Sequence, residues 1–453
     1  MNMQAECRRS GLLRLAARLA VGLSAIGCLL PAAEINHLPP SPATPFLRLR
    51  EATLGYHGPS ADFANLTEIR LGWFGPTNLD DPLTGDLWWA ANFAMQEANA
   101  ETSNLGFPTS DFRRLPFRLI PRWAVDPWGT GVSQLTRMVY DEQPLALIGS
   151  VDSASTHLAE QVVAKAQLPL VSPITTDKTV TLAGVSWMFS CAPSDTAIAR
   201  VLVEAVLAAS DPQCEIANLK SGIRPRLALL AGTDHESRMT MREVLKEFSR
   251  RGRLPDFRFD VPPGAPTLAQ QMAALAAVHP DTVLIIAGAE DSARLVRGVR
   301  ECLPGAPASL PAPSNKPHLA GKDAGAPSCL IFGTHSMSRA RFLDLAGPAA
   351  EGVRFPLLFD PDAAEPAATR FVEQFTQARG HPPDYAATLT CDATRLLIAA
   401  IHRAGPNRAR IREALAQLSP WPGAAGPMAF DGTGQNTRTN LCMASVRNGT
   451  AVP

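Results

Sequence analysis

Short apolar strands alternate with helix-period segments along most of this 453-residue chain, and that alternation restricts the fold more than any other feature. Ile69–Gly75 reads as a strand ending at glycine, and Leu87, Ala91, Ala94, Met95 and Ala98 then recur at helical spacing. Strands follow at Phe117–Ile120, Ala146–Gly149 and Leu168–Ser172, with helices around 132–140 and 156–166 between them. The alternation restarts after Pro193, with strands at 226–231, 282–287 and 329–333. Helices lie at 195–208, over a face carrying Met241, Val244, Leu245 and Phe248, and at 291–301. Two more follow at 369–379 and 386–404, the last striped by Ala393, Leu396, Leu397, Ala400, Ile401 and Ala404. Such spacing means βαβ units: an α/β fold of two Rossmann-like halves, each a parallel sheet with helices on both faces.

The ends of the chain and its interruptions have a different composition. Arg8, Arg9, Arg14 and Arg18 precede an apolar run from Leu19 to Ala33 that closes on Pro31-Ala32-Ala33. A basic start, a short apolar run and small residues are the layout of a cleaved export signal, so residues 1–33 read as a signal peptide. Cys28, after Ala25-Ile26-Gly27, is a candidate point of lipid attachment. Residues 34–67 form a Pro-rich lead-in, and 303–328 a Pro/Ala/Gly/Ser-rich insertion of flexible composition. Six cysteines remain beyond the signal. Cys302 and Cys329 bracket the insertion and are expected to form a disulfide in an oxidising compartment.

Forty-two basic residues balance forty-two acidic ones, which argues against a nucleic-acid partner. Gly129-Thr130-Gly131 lacks the third glycine and the preceding strand of a dinucleotide fingerprint. There is no phosphate loop and no G-x-S-x-G elbow, and the histidines have no metal-ligand spacing. No catalysis, cofactor or metal is expected. What remains is polar residues at the carboxyl ends of strands, where open parallel sheets bind ligands. Gly149–Thr156 and Ser172–Thr176 lie on one edge; Asp234-His235 and Glu290-Asp291 take the equivalent corners of the second half. The hydroxyls suit a carboxylate and the acids an ammonium, although the same residues also serve as ordinary helix caps.

The order of these motifs resembles the leucine/isoleucine/valine-binding family of periplasmic binding proteins, from about Glu68 to Gly449. It includes Gly75-Pro76, Gly85-Asp86, Glu97-Ala98-Asn99-Ala100, Leu168–Pro173, Ala350-Glu351-Gly352-Val353, Tyr385-Ala386-Ala387 and Gly426-Pro427. The resemblance implies two lobes joined by a three-stranded hinge: 68–192 plus 337–430, and 194–335 plus 434–450. It implies ligand-binding roles for Ser153, Ile174, Thr176, His235 and Asp291, with Asp291 holding a ligand ammonium. His235 stands where the family has an aromatic, and Thr84 replaces another before Gly85-Asp86. The implied protein is an exported, periplasmic receptor, not an enzyme. It would close around a small polar solute, an amino acid or amide, and hand it to an ABC permease. A sensory receptor reporting to a membrane kinase or chemoreceptor fits the same residues.

Overall fold

The computed structural model describes residues 61–104, 111–182, 187–209, 224–263, 268–303, 329–362 and 366–453. The expected signal peptide, most of the lead-in and nearly all of the insertion lie outside them.

The first half begins with β1 (Ile69–Phe74), α1 (Gly85–Asn104), β2 (Phe117–Arg122), β3 (Ala146–Gly149), α2 (Ser153–Ala166), β4 (Leu170–Ser172) and β5 (Met188–Pro193). Strand residues alternate between two apolar layers, as the two-residue pleat requires. Ile69, Leu71, Trp73 and Ile148 enter one core, while Phe74, Leu147 and Leu170 enter another beneath α2. The second half follows with α3 (Asp195–Ala209), β6 (Leu227–Gly232), α4 (His235–Arg250), β7 (Phe257–Val261), α5 (Leu268–Val278), β8 (Thr282–Ile286), α6 (Ala289–Cys302) and β9 (Leu330–Gly333). Here Leu230 and Ile285 face one layer, and Leu229 and Leu284 the other.

After α7 (Ala340–Ala346) and β10 (Arg354–Leu357), the chain returns to the first half as α8 (Pro366–Arg379), α9 (Tyr385–Ala404) and α10 (Arg408–Gln417). The hairpin β11 (Trp421–Gly423) and β12 (Gly426–Met428) and strands β13 (Gln435–Asn436), β14 (Cys442–Arg447) and β15 (Thr450–Val452) complete it. The stripe read along α9 packs into the first core: Ala393, Leu396, Leu397, Ala400 and Ile401 are fully buried, and Ala404 is half-buried against it. Among the described residues the strand orders are β13-β5-β4-β3-β1-β2 and β15-β14-β10-β9-β8-β6-β7. All pairs in the first sheet are parallel; in the second only β10-β14 and β14-β15 are antiparallel. No helix among the described residues is long and apolar enough to cross a membrane.

Two expectations change. The sheet pairing puts β10 in the second sheet, although the resemblance implies that 337–430 belong to lobe one. It puts β13 beside β5 in the first, although the resemblance implies that 434–450 belong to lobe two. Strands of two to four residues carry too little periodicity to reveal which sheet they join. The expected Cys302–Cys329 bridge is absent: both are free thiols. The Cys302 Sγ turns to the Val299 carbonyl of its own helix, and the Cys329 Sγ to the Leu330 carbonyl.

Phe332 of β9 is fully buried between α3 and α4. Its truncation in Phe332→Ala is expected to lower the unfolding free energy by about 3–5 kcal/mol, the range for deleting a packed aromatic. Denaturant titration checks this, and a loss below about 1 kcal/mol would mean that the layer can collapse into the void.

Candidate functional site

The carboxyl ends of both sheets meet around a cavity of about 250 Å³. From the first half, the loop after β3 brings Val151 and Asp152, the loop after β4 brings Ile174, and the start of α9 brings Tyr385. The segment ahead of α1 adds Leu83 and Thr84. From the second half come Asp234, Glu236, Ser237 and Thr240 after β6, residues 286–289 after β8, and Thr334, His335, Ser336 and Arg339 after β9.

Helix caps set much of this geometry. The Asp152 carboxylate accepts from the Ser155 N–H at 2.7 Å and Ser155 Oγ at 2.6 Å, fixing the start of α2. Asp234 does the same for α4, accepting from the Ser237 N–H at 2.9 Å and its Oγ at 2.6 Å. The second cap closes tightly over Gly232, where a Cβ would come within 2.6 Å of Ser237 Oγ. Beyond β8, the Ala287 carbonyl accepts from Ser336 Oγ at 2.7 Å and Ser292 Oγ at 3.0 Å, tying the loop after β9 to the start of α6.

Arg339 crosses between the halves. Its Nε donates to Asp384 Oδ2 at 2.5 Å, its Nη2 to the Leu83 carbonyl at 2.6 Å, and its guanidinium lies 5.9 Å from the centre of the Tyr385 ring. Asp384 in turn caps α9, so this cation is already matched. His335 packs edge-on against Tyr385, with ring centres 5.2 Å apart. Burial first, and then Arg339, pull its imidazole down to about 4, leaving it neutral at pH 7.

Glu236 is unmatched. It occupies the first turn of α4, reaches solvent through the cavity, and makes no ion pair among the described residues. Burial first, then the charges of Asp152, Asp195 and Asp234, push its carboxyl up to about 8 against the opposing pull of Arg339. Asp195, buried at the head of α3, accepts from Thr240 Oγ1 at 3.1 Å, and burial raises it to about 7. Asp152, Asp234 and Glu236 line the cavity against the single cation of Arg339, so it carries more acid than base. It suits a ligand bearing a cation or several N–H donors.

Of the residues expected from the sequence, Ile174 lines the cavity. Ser153 and Thr176 lie behind the wall: Ser153 Oγ accepts from Thr175 Oγ1 at 2.8 Å, and the Thr176 carbonyl accepts from the Asp195 N–H at 2.8 Å. Asp291 is not among the lining residues; it pairs one turn along α6 with Arg294 at 2.6 Å. His235 turns away from the cavity, its Nε2 lying 3.0 Å from Asp177 Oδ2. Asp177 also faces His157, so the fold groups two histidines and an aspartate that show no motif in sequence. Hydrogen bonds to Asp177 and then Glu160 push the His157 imidazole up to about 9. Glu236 was not singled out from sequence. Its one signal is its place beside His235 in the first turn after a capping aspartate.

No curated protein matches the sequence. Solved structures share the fold, among them a leucine-binding protein from Thermotoga maritima (TM-score 0.66, 19% identity, covering 85% of this chain and 97% of that one). Another is a branched-chain amino acid transporter substrate-binding protein from Streptococcus pneumoniae in complex with isoleucine (TM-score 0.65, 15% identity, covering 85% and 97%). A third is a solute-binding protein of an ABC transporter from Rhodopseudomonas palustris in complex with 3,4-dihydroxybenzoic acid (TM-score 0.66, 14% identity, covering 85% and 95%). The family model described as periplasmic binding protein matches residues 69–302 and 319–451, nearly all of both halves. With two largely parallel sheets, their strand ends meeting at one polar cavity, this chain belongs to the periplasmic binding protein family, whose members bind solutes outside the cytoplasmic membrane.

Proposed function

We propose that the protein is an extracytoplasmic receptor for a small amine- or amide-bearing solute, such as an amino acid, which it delivers to an ABC importer by closing its two lobes. The observation that carries this reading is the unpaired carboxyl of Glu236 in a cavity walled from both halves. A ligand touching both walls favours the closed state by its differential affinity, which a permease then recognises. Ile174 supplies apolar contact beneath the ligand, and Thr84 leaves room where an aromatic would narrow the site. Ser153 and Thr176 shape the wall from behind. An aromatic carboxylic acid, as in the Rhodopseudomonas palustris complex, is disfavoured by the carboxylates of Asp152 and Asp234 at the rim.

The pH dependence tests the reading. In the free protein Glu236 is protonated below about 8, yet a cationic ligand needs the carboxylate. Binding therefore expels a proton, and affinity falls by up to about tenfold for each pH unit below 8. Calorimetry of a cationic ligand at pH 6, 7 and 8 is expected to show this slope in the wild type and a much shallower one in Glu236→Gln. A flat wild-type profile with a cationic ligand would refute the role of Glu236.

A further inference from the structure

We propose that His157, Asp177 and His235 form a binding site for a divalent transition-metal ion of the Zn²⁺ type, which fastens the second lobe to the first. Asp177 and His157, on α2, belong to the first lobe; His235 opens α4 of the second. Their ligand atoms lie within 4.8 Å of one another. His157 Nε2 and His235 Nε2 each stand 3.0 Å from the same oxygen, Asp177 Oδ2. Tetrahedral coordination at ordinary zinc distances needs separations of about 3.3 Å; both imidazole–carboxylate separations are within a few tenths of an ångström of that, and the two imidazole nitrogens lie no more than 4.8 Å apart.

The surroundings suit a cation. Asp177 Oδ1 is held by the Thr179 N–H at 2.9 Å and its Oγ1 at 2.6 Å, which aims Oδ2 at the two imidazoles. Glu160 Oε2 lies 3.1 Å from His157 Nδ1, the carboxylate partner that orients a metal-ligating imidazole. The neighbouring ammonium of Lys178 is engaged elsewhere, 2.6 Å from Glu243, and does not compete. Asp177 is almost fully buried, whereas the His235 side chain is 40% exposed, so an ion has a route in from solvent. Two imidazoles and one carboxylate select a first-row transition ion over Ca²⁺ or Mg²⁺.

Because the ligands come from both lobes, the ion holds only the arrangement that brings α4 against α2. By linkage it tightens solute binding by the factor by which solute tightens metal binding. That consequence rests on the receptor reading; the metal site itself does not.

The test is calorimetric titration of untagged full-length protein with ZnCl₂. One equivalent is expected to bind and to raise the unfolding midpoint. His157→Ala and His235→Ala are each expected to weaken binding at least about 100-fold, and Glu160→Gln about 10–100-fold. Because His235 is exposed, His235→Ala keeps its fold, which circular dichroism verifies. CaCl₂ and MgCl₂ are expected to give no heat of site binding. No zinc bound by the wild type, or zinc binding unchanged in both histidine variants, would overturn the proposal. Zinc binding that leaves solute affinity unchanged would refute the coupling alone.

Discussion

Glu236→Gln is expected to weaken the binding of a cationic solute by about 30-fold to several thousand-fold at pH 8. The substitution keeps the shape of the side chain and removes only the charge that the ligand's ammonium would meet. In a closed cavity that ammonium has little water to fall back on. Leaving one member of a desolvated charged pair unmatched costs about 2–5 kcal/mol. The guanidinium that lines the cavity, Arg339, is taken by Asp384, and the remaining acids at the rim are occupied as helix caps. The same change should stabilise the empty protein. A carboxyl whose pKa rises from 4.5 unfolded to about 8 folded destabilises the fold progressively as pH climbs through that interval, and fully above 8. Glu236→Gln removes that penalty, so the ligand-free variant is expected to melt higher than wild type at pH 8 and equally at pH 4. Weaker binding together with higher intrinsic stability marks a group kept for function rather than folding. Scanning calorimetry at the two pH values separates the effects.

Arg339→Met is expected to cost about 3–5 kcal/mol of stability, the usual loss when one member of a buried ion pair is removed. Arg339 is 8% exposed, and methionine fills its channel without its donors. The change abandons Asp384 Oδ2 and the Leu83 carbonyl together. Asp384 Oδ1 keeps its bonds from the Ala386 and Ala387 N–H groups, so α9 stays capped and the loss falls on the link between the halves. In a double-mutant cycle with Asp384→Asn, the double variant is expected to lose less than the sum of the singles. Strict additivity in chemical denaturation would show that the two side chains do not depend on each other.

The architecture was legible because apolar alternation is a local property. Ile69–Phe74, Ala146–Gly149 and Thr282–Ile286 are mostly apolar and buried on both faces, as central parallel strands must be, and α9 announces its buried stripe residue by residue. β7 escaped notice because Phe257 and Phe259 alternate with Arg258 and Asp260 at a sheet edge and leave only a half-buried face. The site was harder to read because it depends on helical phase. Asp234, His235 and Glu236 are consecutive, yet the cap formed by Asp234 turns Glu236 into the cavity and His235 toward Asp177. Asp291 sits at a strand-to-helix corner as expected, but one turn of α6 places it beside Arg294 instead. The grouping of His157, Asp177 and His235 spans separations of 20 and 58 residues, which no motif spacing records.

In the proposed receptor, a solute carrying an amine or amide binds against Glu236 between the lobes. The most direct measurement is an isothermal titration, in wild type and in Glu236→Gln, of the tightest ligand from a panel of amino acids, amides, amines and aromatic carboxylates. That ligand is expected to carry an amine or amide, to bind one to one, and, if cationic, to lose at least about 30-fold in affinity in the variant. A tightest ligand that is a simple carboxylate, bound equally well by both proteins, would contradict it.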